Sequence, residues 1–178
     1  ELEKEGHICI YIDFFKIYSE KRFIEIFGGE IIKNQGTLKK AIQKFREFIQ
    51  GIIPQVTFDQ NGEPKISFQF VSQKIDQTDL ARVIDFPEKI SDNGKKVIVI
   101  FDEFQEIENL NGDSFEKILR SQIQFHNHTS YVFMGSKTHL LLNMFQNKEK
   151  ALYKSGKFYP LAKIDENEMS RFITMQFE

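Results

Sequence analysis

The sequence predicts an α/β fold, three layers deep, built on a parallel sheet. Three observations carry that prediction. Short apolar runs alternate along the chain with stretches of 3.6-residue periodicity. The run Val97-Ile98-Val99-Ile100-Phe101 shows no polar alternation, as expected of a strand covered on both faces. It leads into two adjacent carboxylates, Asp102 and Glu103, at the end of a strand where α/β sheets place their chemistry.

Taken in order, Ile8 to Ile12 reads as a strand that ends in another acid, Asp13. Ser19 to Phe27 reads as a short helix, with Phe23, Ile24 and Phe27 on one face and Gly28-Gly29 as its stop. Thr37 is an N-cap candidate for a helix carrying Leu38, Ala41, Ile42, Phe45, Phe48 and Ile49, which ends at Gly51. A β-hairpin insertion follows at about 55–70. Its strands, Val56 to Asp59 and Lys65 to Phe70, flank a turn in which Asn61-Gly62 provides a positive φ. The alternation of Ile66, Phe68 and Phe70 with polar residues leaves one face wet, so the hairpin belongs outside the core sheet.

Asp76 to Ile90 reads as a helix in which Pro87 is an anomaly near the end. Phe115 to Phe125 is amphipathic. Tyr131 to Met134 is a further buried strand, followed by Gly135-Ser136 and a helix with Leu140, Leu141 and Phe145. Phe158 to Leu161 reads as a last short strand. Asp165 caps a final helix with Met169, Phe172 and Ile173.

Composition narrows the function classes. The chain has 178 residues, enough for a domain with a sizeable core; 40% are hydrophobic and 28% charged. There are 19 Phe and no Trp, which reads as core filling. A net charge of −2 gives no global field for nucleic acid. The single cysteine, Cys9, excludes a disulfide framework and a cysteine-rich zinc site, and suits a reducing, cytoplasmic compartment. No apolar run reaches membrane-spanning length, and no signal peptide is visible.

Asp13, Asp102-Glu103 and Ser136 each follow an apolar run, and parallel strands bring such ends to one edge of a sheet. Gly135-Ser136-Lys137-Thr138 imitates a phosphate-binding loop, but Ser136 stands where the motif needs its second glycine. His126-Asn127-His128 reads as a solvated helix-to-strand turn, since no cluster of Cys or His supports a metal pair. Lys39-Lys40 and Lys95-Lys96 read as solvated faces.

Asp102-Glu103-Phe104-Gln105, with Gly135-Ser136 downstream, resembles the prokaryotic ATPases of the archaeal ATPase type, P-loop proteins of the AAA+/STAND group. Tyr11-Ile12-Asp13-Phe14, the Asp59 to Phe68 hairpin and Leu152-Tyr153-Lys154 support the resemblance, which spans nearly the whole chain. It implies a P-loop NTPase-like αβα fold without its P-loop strand. Residues 1–163 would be a partial core, and 164–178 the start of a C-terminal helical lid. It implies ATP and Mg²⁺ as cofactors. Asp102 would be the Walker B residue that holds Mg²⁺ and Glu103 the catalytic base. Ser136 would be the sensor-1 residue near the γ-phosphate, with Lys154 and Asp13 as further nucleotide contacts. A Lys at 154 is a point charge without the bidentate fork of an Arg.

The 178 residues contain no G-x-x-x-x-G-K-[ST] motif. The resemblance puts the P-loop upstream, with Glu1 to Glu5 as the tail of the helix that follows it. The expected function is therefore a segment of an ATP-hydrolysing switch domain, with ATP bound through a P-loop outside these residues and a protein client or oligomer as partner. The alternatives are a non-catalytic interaction module on an NTPase scaffold and, more remotely, a metal-dependent nuclease. The last wants a lysine beside the acids, and none closely follows Glu103.

Overall fold

The computed structural model describes residues 2, 4–34, 37–72, 74–91 and 96–177. Along the chain run β1 (Ile8–Asp13), α1 (Glu20–Lys33), α2 (Leu38–Phe48), β2 (Ile52–Phe58), β3 (Pro64–Phe70) and α3 (Gln77–Ile90). Then come β4 (Val97–Asp102), α4 (Gly112–Ile123), β5 (Thr129–Phe133), α5 (Thr138–Gln146) and α6 (Glu166–Phe177).

β1, β4 and β5 form a parallel sheet with β4 in the middle. The register pairs Ile10 with Val99 and Val99 with Tyr131, and sets Asp13 beside Asp102 at the carboxyl end. The predicted central strand and both its neighbours are in place. One detail differs. Val97, Val99 and Phe101 are buried, whereas Ile98 and Ile100 are half-buried. An all-apolar run cannot distinguish two fully covered faces from one covered and one partly open.

The covered face meets α1, α3 and α4 through a phenylalanine cluster. Phe14 sits edge-on to Phe101 and to Phe104, with centroids at 5.4 and 5.5 Å. Phe23 sits edge-on to Phe115 at 5.0 Å. Each buried Phe contributes about 1.5–3 kcal/mol by leaving water, and favourable ring pairs add about 0.5–1.5 kcal/mol. On the opposite face Tyr11, Val132 and Met134 are exposed.

Gly28-Gly29 does not stop α1, which continues through Ile31 and Ile32 to Lys33. The glycines serve packing instead. A Cβ at Gly28 would stand 3.1 Å from both the Phe45 and Phe68 rings. Phe68 belongs to the hairpin, so the missing side chain lets the hairpin seat on α1 and α2. β2 and β3 pair antiparallel in a separate two-stranded sheet, outside the parallel sheet as expected. Gly62 takes φ +79 in the turn, and the Asp59 carboxylate accepts from the Asn61 and Glu63 N–H groups at 2.8 and 2.9 Å.

Other expectations shift in detail. Thr37 precedes α2, but its side chain makes no cap bond. α3 runs through Pro87, a position that removes only the bond to the Val83 carbonyl. The Phe158 to Leu161 segment is exposed and unpaired, not a strand; an apolar run forms a strand only where a neighbour takes up its backbone groups. Asp165 does cap α6, accepting from the Asn167 N–H at 2.9 Å. Leu2, Lys4 and Glu5 lie in turns rather than at the end of a helix, and Glu1 and Glu3 lie outside the described residues. Lys39, Lys40 and Lys96 are exposed, and Lys95 lies outside the described residues.

Candidate functional site at the carboxyl edge of the sheet

β4 carries Asp102 to the end of the sheet, where the backbone turns abruptly. Glu103 adopts φ 49, ψ 41, in the left-handed region. For a residue with a Cβ this costs about 1–2 kcal/mol. A 3₁₀ segment, Phe104–Leu110, follows at once. β5 arrives alongside. Met134 donates its N–H to the Phe101 carbonyl at 2.8 Å, and Phe104 donates to the Met134 carbonyl at 2.9 Å. The chain leaving β4 is thus tied to the chain leaving β5.

This join places Ser136 against Glu103. The Ser136 hydroxyl donates to Glu103 Oε2 at 2.9 Å, and its N–H donates to the same oxygen at 3.3 Å. Gln105 Nε2 donates to that oxygen at 2.5 Å. Gln105 is 2% exposed. Its amide fits because residue 135 is glycine: a Cβ there would fall 2.0 Å from Gln105 Oε1. The Gln105 donor, then the Ser136 hydroxyl, hold the Glu103 carboxyl below its ordinary range against a smaller opposing effect of burial.

Asp102 is held on both oxygens. Oδ1 accepts from the Glu103 N–H at 2.9 Å, and Oδ2 accepts from the Tyr11 hydroxyl. That hydrogen bond is the largest cause raising the Tyr11 phenol to about 12; burial follows, then the charges of Asp102, Asp13 and Glu103. Asp13 caps the 3₁₀ turn Phe14–Lys16, accepting from the Phe15 N–H at 3.0 Å, and pairs with Lys16 at 3.0 Å.

The structure therefore brings together Asp102, Glu103 and Ser136, with Asp13 beside Asp102. It does not join Lys154 to them. Lys154 lies in a turn with φ 53, and its ammonium sits over the Tyr153 ring at 5.3 Å. Sequence reasoning missed Tyr11 and Gln105. Tyr11 lies two residues before Asp13, on the same face of the strand, which is a usable signal. Gln105 reaches back only because the chain turns at Glu103, and composition carries no sign of that.

A second polar cluster was also missed. His126 was expected in a solvated turn, but its side chain is 1% exposed. Its ring contacts Asp85 Oδ1 at 3.0 Å and the Tyr131 hydroxyl at 2.8 Å. Partners from α3 and β5, far away in sequence, make the buried position tolerable. Glu88, one turn along α3, accepts from the Asn127 N–H at 2.8 Å and the Thr129 hydroxyl at 2.9 Å. Among the described residues, no group of three or more His, Cys, Asp or Glu side chains is arranged to hold a metal ion.

The fold as a whole is similar to that of a Walker-type ATPase of Pyrococcus abyssi, with a TM-score of 0.55 and 16% identity. The match covers 98% of this chain and 47% of that one, so the chain spans about half the length of its structural relative. The likeness establishes the fold: a P-loop NTPase-like αβα architecture. No family model matches the sequence, and no curated protein does. No helix among the described residues is long and apolar enough to cross a membrane.

Proposed function

We propose that the chain is a segment of an ATP-hydrolysing switch domain of the archaeal ATPase type within the AAA+ group. In this reading Asp102 is the Mg²⁺-holding residue of the Walker B strand, Glu103 the catalytic base, and Ser136 the sensor-1 residue. Residues 1–163 are the partial core, and 164–178, with α6, begin the helical lid. The observation that carries the reading is the Glu103–Ser136 hydrogen bond, which links the ends of two adjacent parallel strands at the edge where such folds work.

The residues suit the chemistry. Mg²⁺ takes one or two carboxylates and leaves its other positions to water and phosphate oxygens, so a lone Asp102 is an adequate protein ligand. Asp102, Asp13 and Glu103 act together on Tyr11 as a negative field, which favours a cation at this edge. Bound there, Mg²⁺ would offset phosphate charge. Glu103 is held ionised by Gln105 and Ser136, so its carboxylate is ready to orient a water and take its proton. The Ser136 hydroxyl, whose proton now points to Glu103, can turn to a phosphate oxygen. Lys154 would add positive charge only after its side chain leaves Tyr153.

In the complete protein, Glu103→Gln should retain ATP and lower single-turnover hydrolysis by about 10²–10⁴-fold, the usual cost of losing a general base. Asp102→Ala should weaken Mg²⁺-dependent nucleotide binding as well. Wild-type hydrolysis by Glu103→Gln would reduce Glu103 to a solvated acid after a strand and refute the proposal.

A further inference from the structure

Tyr11 carries its hydroxyl at this edge on a partly exposed ring. It is 51% exposed on the open face of the sheet. In register it stands beside Ile100. Strand alternation puts Asp102, two residues further along β4, on the same face. The hydroxyl reaches diagonally across the two strands to Asp102 Oδ2, while the Glu103 N–H takes Oδ1.

We propose that Tyr11 is a positioning residue for Asp102, fixing the carboxylate's rotation so that its remaining lone pairs meet a divalent cation. The inference rests on the reading of Asp102 as the Mg²⁺ residue. A carboxylate oxygen accepts more than one partner, so one donor on each oxygen fixes the group without filling it. The two donors differ in kind. The Glu103 N–H belongs to a backbone in the left-handed turn, and only proline would remove it, at the cost of a φ that the turn does not allow. The Tyr11 hydroxyl is the adjustable one. Asp13, the neighbouring acid, is already occupied by the Phe15 N–H and by Lys16, so it does not compete for the hydroxyl. A tyrosine hydroxyl is ordinarily protonated, and therefore a donor, throughout the physiological range. Groups that orient a metal ligand in this way typically govern metal affinity by about 10–100-fold.

Tyr11→Phe removes the hydroxyl and keeps the ring. The test uses the complete protein saturated with a non-hydrolysable ATP analogue, titrated with Mn²⁺ and read by electron paramagnetic resonance. Metal-free affinity for the analogue and the thermal midpoint are measured alongside. Tyr11→Phe should bind Mn²⁺ about 10–100-fold more weakly, with metal-free affinity and midpoint unchanged. Asp102→Ala is the companion variant. If it loses Mn²⁺ while Tyr11→Phe binds as wild type, the Tyr11 inference is overturned and the Asp102 reading stands. If Tyr11→Phe lowers metal-free affinity or the midpoint to match, Tyr11 is merely structural and the inference fails. If Asp102→Ala binds Mn²⁺ as wild type, the site is elsewhere and both fall.

Discussion

Replacing Glu88 by Gln should detach the end of α3 from the start of β5 at a cost that depends on pH. The Glu88 carboxylate accepts the N–H groups of Asn127 and His128, the Thr129 hydroxyl and a His128 ring contact. Its side chain is 14% exposed. Burial alone would raise its pKa; the donors outweigh burial and lower it from 4.5 to about 2. A depressed carboxyl stabilises the fold fully above the unfolded value, and that stability is lost as pH falls through the folded one. The gap between 4.5 and about 2 corresponds to about 3 kcal/mol at pH 7. At about pH 3.5 the unfolded carboxyl is mostly protonated and the folded one is not, which removes about 1.4 kcal/mol of the total. Gln presents an amide donor to a nest of donors, so it cannot replace the carboxylate. Urea unfolding of wild type and Glu88→Gln at pH 7 and pH 3.5 measures both quantities. Gln should be less stable by about 2–3 kcal/mol at neutral pH, and the difference should narrow by about 1.4 kcal/mol in acid. A stability difference that does not move with pH would show that the donors do not hold the charge.

Gly28 and Gly29 should respond to Ala with opposite signs. Both substitutions gain helix propensity worth about 1 kcal/mol, but a Cβ at Gly28 meets two rings at 3.1 Å while at Gly29 the nearest atom is 3.9 Å away. Denaturant midpoints should fall for Gly28→Ala and rise for Gly29→Ala; the same sign for both would remove the packing argument. Gly135→Ala should expel the Gln105 amide and raise the Glu103 pKa toward its ordinary value, because Gln105 is the main cause of the depression. Carboxyl NMR titration reads this directly, and an unmoved Glu103 would count against the Gln105 contact. The 178-residue chain should bind ATP no more tightly than about millimolar, roughly −4 kcal/mol, because its sequence lacks the glycine-rich amide cradle and its lysine. Micromolar, Mg²⁺-dependent binding in a calorimeter would contradict this.

Much of the fold was legible because it depends on period. The apolar runs marked all three strands of the parallel sheet, and the hairpin declared itself through alternation and Asn61-Gly62. What the sequence hid were features made by contact between distant segments. Gly28-Gly29 looks like a helix stop until Phe45 and Phe68 arrive over it. His126 looks solvated until Asp85 and Tyr131 enclose it. Phe158 to Leu161 looks like a strand until no partner comes. At the candidate site, Asp102, Glu103 and Ser136 were readable as strand ends, since strand ends are set locally and parallel pairing does the rest. Tyr11 left only its place two residues before Asp13 as a signal, and Gln105 left none, because a left-handed turn leaves no trace in composition. The ammonium of Lys154 was expected near the others, but a turn of the backbone sends it toward Tyr153.

The pair of backbone bonds between Phe101, Met134 and Phe104 has a mechanical consequence. The loops leaving β4 and β5 are stitched together on either side of Asp102-Glu103 and just before Ser136, and Lys137 adds an outer tie to Glu106 at 2.7 Å. Glu103 and Ser136 therefore share one lever arm. A ligand that pulls on the serine drags the 3₁₀ segment behind the glutamate with it. The acid and the hydroxyl can change partners, but their backbones cannot easily change places independently. A displacement at the rim of the sheet would travel inward as the motion of a single rigid corner.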